Sequence, residues 1–229
     1  MSSKYVIIPA AGVGSRMQLD IPKQYHKLNN DKTILDNTLE KFIANPFFDK
    51  VFIAIAKDDN YWCDSLYYGH SNIVVCNGGV TRFHSVYNAL QSINGKDDDW
   101  VFVHDAARPF IDFASIKNLY EKTAASHSQA GILAYKVAAT VKQAKSNVIV
   151  KTLDRNNIYL AQTPQLSRFG QLAKAFDFCY TNELVDKVTD EASALEIFGI
   201  NPIIVESSNK NIKITTQDDL DYANWLVGL

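Results

Sequence analysis

Short apolar runs rich in valine and isoleucine recur at residues 5–10, 51–56, 73–76 and 101–104, separated by segments of helical period. Such continuous runs suit strands buried on both faces, and strands alternating with helices build a parallel sheet with right-handed crossovers. The spacing predicts a helix over 34–44 and another carrying Val86, Ala89, Leu90 and Ile93 after the Gly78-Gly79 turn. Thr216 with Asp219 forms a capping-box pattern ahead of a final helix over 220–227. Thr189 is placed to cap a short helix that Gly199 stops, with Asp190 and Glu191 as first-turn acids. The expected fold class is α/β, a mostly parallel sheet with helices on both faces.

Residues 132–162 break this rhythm. They read as strands interrupted by polar stretches at 144–147 and 154–157. We read them as a hairpin arm, with 135–162 as its projecting part. No composition shift or flexible linker divides the chain, so one domain over 1–229 with an extension is the economical expectation.

Composition removes several function classes. A formal charge of −2 and a pI near 6.2 argue against a broad nucleic-acid surface but leave room for a local cationic pocket. The apolar run at 5–11 is too short for a membrane span and lacks a signal-peptide front, which places the protein in the cytoplasm. Cys63, Cys76 and Cys179, odd in number and without CxxC spacing, point to neither a disulfide framework nor a zinc site.

Three strand ends carry the chemistry. The first strand runs into a loop, residues 9–17, where Pro9, Ala10, Ala11, Gly12 and Gly14 are small enough to let backbone N–H groups approach an anion. It lacks the spacing and lysine of a P-loop. Met17 stands where a dinucleotide fingerprint needs its third glycine. Alone, the loop also fits an ordinary strand-to-helix turn, but Arg16 and Lys23 follow it closely, as a phosphate site requires. A second glycine loop at 77–85 could read a base or simply connect. Asp105, at the end of the fourth strand, could hold Mg²⁺ beside a triphosphate or pair with Arg108; His104 reads as a core histidine. Lys213 falls in an alternating stretch read as a strand before the last helix. An inward lysine there calls for an anion, and solvated Lys210 and Lys213 would fit equally.

The segments PAAGVGSRM, PKQY, GGVTRFHSV, VHDAARPF, TVK, DRNNIYLAQTPQ, TDEASALE and NIKIT, in that order along nearly the whole chain, resemble the 2-C-methyl-D-erythritol 4-phosphate cytidylyltransferases of the non-mevalonate isoprenoid pathway. The resemblance implies a Rossmann-like nucleotidyltransferase fold and transfer of CMP from CTP to the sugar phosphate, with Mg²⁺ and release of pyrophosphate. It implies Arg16, Lys23 and Lys213 as catalytic residues. Pro9, Ala10, Ala11, Gly12, Gly14, Gly79, Val80, Ser85 and Ala106 would bind the nucleotide. Asp105, Arg108, Thr140, Arg155 and Thr163 would bind the substrate, with Asp105 also on the metal. The arm would cross to a second copy in a homodimer, so that Thr140 and Arg155 act in trans. Two departures from the family pattern, Ala139 before Thr140 and Ser207 after Glu206, bear on the sugar contacts and on loop geometry. Ribitol-5-phosphate cytidylyltransferases share the loop and arm. A nucleotide-sensing homologue would be expected to lose one of Arg16, Lys23, Asp105 or Lys213, and all four are present.

Overall fold

A computed structural model describes residues 2–12 and 21–228. Four parallel strands lie within a residue or so of their expected positions: β1 (Lys4–Pro9), β2 (Lys50–Ile55), β3 (Ile73–Asn77) and β4 (Trp100–Val103); β3, at the sheet edge, is only part-buried, where burial on both faces was expected. Two antiparallel contacts enter the sheet with β5 (Ala130–Lys136) and the long β8 (Tyr159–Arg168), and β9 (Ile203–Glu206) closes the far edge beside β5. The seven strands run in the order β3-β2-β1-β4-β8-β5-β9, with β8 antiparallel to both neighbours.

The pleat divides the apolar side chains between two layers. On β1, Val6 and Ile8 join one cluster and Ile7 the other. The first layer is completed by α1 (Ile34–Ile43) and α3 (Phe113–Ala125), the second by α2 (Arg82–Ser92), α4 (Phe169–Thr181) and α5 (Glu191–Ile197). Full burial of a large side chain such as Leu39 or Phe42, both 1% exposed or less, contributes about 1.5–3 kcal/mol. The last helix, α6 (Gln217–Val227), packs Leu220 and Ala223 against Leu28, Ile34, Ala107 and Ile214. Its capping box forms as expected between Thr216 and Asp219.

Several sequence expectations need correction. The arm is smaller than residues 132–162. Residues 132–136 and 159–162 are paired within the main sheet, and the separate hairpin is β6 (Val141–Lys145) with β7 (Val148–Leu153). Its turn, Ser146-Asn147, has positive φ at both positions, the mirror-image turn whose twist suits a two-residue hairpin. The short helix α5 is capped by Asp190 rather than Thr189, because the Asp190 carboxylate accepts from the Ser193 N–H and the Ser193 hydroxyl sits back on the cap. Lys213 lies in an irregular segment after β9, whose backbone is tied where the Ile214 N–H donates to the Ala107 carbonyl at 2.9 Å. Ser207 is not among the described non-glycine residues of positive φ, and its N–H donates to the Ala134 carbonyl, so the backbone accommodates the serine, whose buried hydroxyl has no partner among the described residues.

Candidate active site

From β1 the chain winds outward through β2 and β3, then returns to place β4 on the other side of β1. In open α/β sheets the crevice beyond the strands' carboxyl ends at such a switch point binds ligand. Here it is a cavity of about 560 Å³, lined from the end of β1 (Pro9, Ala10, Ala11, Gly12), the β3–α2 loop (Gly79, Val80, Thr81, Arg82, Ser85) and the end of β4 (Asp105, Ala106, Ala107). Lys23, Gln24, Lys213 and Thr215 complete it.

The two glycine loops fit together because side chains are missing. A Cβ on Gly78 would lie 2.3 Å from the Ala11 Cβ, and one on Gly79 would lie 2.2 Å from the His84 Cβ. At Gly12, which lines the cavity, the same atom would meet no atom of the described residues within 4 Å. Ser85, 3% exposed, accepts from the Gly79 N–H and donates to the Thr81 carbonyl, stiffening the second loop. Val80 stands at its tip, 97% exposed. Gln24, unremarked in the sequence, donates to the Ala10 carbonyl at 2.6 Å and anchors the start of the first loop. Lys23 donates to the Ile214 carbonyl at 2.9 Å, which draws the lysine of the first segment to the strand-free segment of Lys213. Thr38 on α1 fixes the Ala106 carbonyl from behind at 2.9 Å.

Charge concentrates on Asp105. Its Oδ1 accepts from Arg82 Nε at 3.1 Å, while Oδ2 meets Lys213 Nζ at 2.9 Å and Arg108 Nε at 3.4 Å. Burial alone would push this carboxyl up, but Arg82, Lys213 and Arg108 outweigh it and hold the group well below the usual carboxylate range. The Asp105–Arg108 pairing and the pocket-facing role, set against each other in the sequence, thus coexist. Arg108 spends its other nitrogens on the Asn211 and Ala161 carbonyls, stapling the Lys213 segment and β8 to the site.

Behind Asp105, burial lowers the His104 pKa to about 4, so the ring is neutral near pH 7. Its Nε2 lies 3.0 Å from the Arg108 carbonyl, which can only accept, so Nε2 carries the proton and Nδ1 accepts from the Thr163 hydroxyl at 3.1 Å. That hydroxyl in turn accepts from the Asp105 N–H at 3.0 Å. Thr163, 4% exposed, therefore faces inward and fixes the backbone of Asp105. Thr140 and Arg155 stand exposed at the arm, where Arg155 donates to the Ala138 carbonyl. The pocket so described gathers Lys23, Lys213, Asp105, Ala106 and the glycine loops; Gly14 and Arg16 lie outside the described residues.

One pair escaped the sequence reading altogether. Glu191, expected as a dipole-compensating acid, is 1% exposed and takes a two-pronged bond from Arg82, at 2.7 and 3.0 Å. The only signal was the presence of both residues in the quoted GGVTRFHSV and TDEASALE segments.

The family model described as IspD, 2-C-methyl-D-erythritol 4-phosphate cytidylyltransferase, matches residues 4–228. The chain belongs to this family. Two cytidylyltransferases of that name are 40% and 42% identical to it: that of Vesicomyosocius okutanii subsp. Calyptogena okutanii, over 96% of this chain and 95% of the relative, and that of Ruthia magnifica subsp. Calyptogena magnifica, over 98% and 96%. The crystal structure of Francisella tularensis 2-C-methyl-D-erythritol 4-phosphate cytidylyltransferase is similar at 70% identity and a TM-score of 0.88, covering 98% of this chain and 99% of that one. IspD membership brings the Rossmann-like fold expected above, and the chain is a cytidylyltransferase-type enzyme. Among the described residues no helix is long and apolar enough to cross a membrane.

Proposed function

We propose that the chain transfers CMP from CTP to the phosphate of 2-C-methyl-D-erythritol 4-phosphate. The observation that carries this reading is the pocket at the switch point, where three cations converge on Asp105 beside two interlocked glycine loops. An oxygen of the sugar phosphate attacks the α-phosphorus of CTP, the new P–O bond forms, and the bond to the β-phosphate breaks as pyrophosphate leaves with its electron pair. Little covalent chemistry falls to the protein; its residues position the reactants and oppose the growing charge. Lys213 and Lys23 serve the triphosphate, joined by Arg16. The loop amides at Ala11 and Gly12 hold phosphate, and Gly79, Val80 and Ser85 frame the base. Arg108 and Thr163 position the sugar site through Asp105.

The donor set fits a cation that arrives with the nucleotide. Three cationic side chains against Asp105 and Glu191 leave the cluster net positive, and no group of three or more His, Cys, Asp or Glu among the described residues could hold a metal alone. Asp105 would hold Mg²⁺ together with triphosphate oxygens, where the ion would neutralise charge on the leaving pyrophosphate.

The arm supports a homodimer. Val148, Ile149 and Val150 are each more than 60% exposed on an isolated two-stranded ribbon, which is marginal in water unless covered. A second copy would cover it and present Thr140 and Arg155 to its site, the chain otherwise forming one domain. Ile149→Lys should halve the sedimenting mass; an unchanged mass would refute the arm's role. A reaction between two multiply charged substrates fits the cytoplasmic placement. The activity is tested by pyrophosphate release with CTP, Mg²⁺ and a panel of sugar phosphates that includes ribitol 5-phosphate. Release with the methylerythritol phosphate is expected; preference for ribitol 5-phosphate or inactivity with every acceptor would overturn the reading.

A further inference from the structure

We infer that Glu191 is a positioning residue for the transfer: by taking both terminal nitrogens of Arg82 it aims the remaining one at Asp105 and keeps that carboxylate oriented when Lys213 turns to a phosphate. The inference rests on the CTP-dependent reading above.

Arg82 is the first residue of α2, directly after the second glycine loop, and it lines the pocket. Its guanidinium spans two carboxylates, with NH1 and NH2 on the two Glu191 oxygens and Nε on Asp105 Oδ1. A planar fork held at both prongs cannot rotate, so the direction of Nε is set by Glu191. Glu191 is itself immobilised from the sheet. Gln165 on β8, 3% exposed, donates to the neighbouring Asp190 carboxylate at 2.9 Å and accepts from the Ala192 N–H at 2.8 Å.

Stability does not account for the arrangement. A carboxylate buried this deeply pays a desolvation cost that its ion pair roughly cancels, and well-packed apolar side chains would serve the fold as well. The geometry does account for it. Lys213 Nζ and Arg82 Nε occupy opposite oxygens of Asp105. If Lys213 leaves for the triphosphate, Oδ2 keeps only the longer 3.4 Å contact with Arg108, and the 3.1 Å contact of Arg82 on Oδ1 becomes the shorter of the two that hold Asp105 in place.

Released from Glu191, Arg82 would be free to turn toward the triphosphate. Glu191→Gln should therefore lower kcat on the order of 10-fold to 100-fold and leave KM and calorimetric Kd for CTP unchanged or reduced, with the fall in melting temperature expected from breaking a buried pair read separately from the kcat of the folded protein. Arg82→Lys keeps the charge but cannot span two carboxylates, and it should lose kcat to a similar extent. The double variant should be no more than about threefold worse than the poorer single one, since both act through one contact. Should Glu191→Gln fail to fold, Arg82→Lys reads the same step. Either folded variant with kcat within twofold of wild type, losses that multiply in the double variant, or a loss seen wholly as weaker CTP binding would overturn the inference. Wild-type turnover measured in parallel separates the two failures: an inactive wild type refutes the proposed function, whereas an active wild type with an unaffected variant refutes only this role.

Discussion

Asp105 and Arg155 both carry a charge that the proposed transfer uses, yet Asp105 is 7% exposed among three cations, whereas Arg155 stands exposed beside a single backbone carbonyl, that of Ala138. The pocket end of the molecule is assembled by contacts between segments far apart in sequence: Arg82 reaches Glu191 and Arg108 reaches Asn211 across about half the chain. The arm is a local hairpin joined to the body through β5 and β8. Charges that must be in place before ligand arrives are held in the first region by mutual neutralisation. In the proposed dimer, charges of the second region would act only once a second copy meets them.

Substitutions that treat the two regions alike should therefore give unlike results. Asp105→Asn leaves three cations facing one another and should cost about 3–5 kcal/mol of stability, read as a fall in urea midpoint together with loss of turnover. Lys213→Ala should lower kcat on the order of 10²-fold or more, about 2.7 kcal/mol of barrier, while the midpoint moves little. His104 gives a smaller, pH-dependent effect. In the unfolded chain its ring gains a proton near pH 6.5, in the fold not until about pH 4. Its contribution is thus complete above pH 6.5 and is lost as pH falls toward 4, on the order of 1–3 kcal/mol. Urea midpoints at pH 7 and pH 5 should differ less in His104→Gln than in wild type. Arg155→Ala should change stability by less than about 0.5 kcal/mol yet raise KM for the sugar phosphate; an equal loss of stability at Arg155 and Asp105 would erase the contrast between the regions.

The same contrast decides what could be read from sequence. Strands β1, β2 and β4 are legible because burial on both faces leaves continuous apolar runs such as VIIP and WVFV, and the Thr216–Asp219 cap is a short-range pattern. Strand β8 is not, because its buried stretch carries Gln162, Thr163 and Gln165, polar side chains satisfied by distant segments, and so its start, up to residue 162, reads as part of an exposed arm. The segment of Lys213 mimics a strand through buried Asn211 and Ile214, but its burial comes from Arg108, Gln162 and α6 rather than from a ladder. Asp105 and the glycine loops could be picked out by residue type at strand ends, and Lys213 as a lysine in an alternating stretch before the last helix. The Arg82–Glu191 pair could not, since an acid after a helix cap has a sufficient local explanation and its partner is 109 positions away.

The proposed transfer is tested most directly by initial rates of pyrophosphate release with CTP, 2-C-methyl-D-erythritol 4-phosphate and Mg²⁺, for wild type and Lys213→Ala side by side. It predicts release that requires both substrates and falls on the order of 10²-fold in the variant while the fold persists. Release independent of the sugar phosphate, or equal rates in the two proteins, would contradict it.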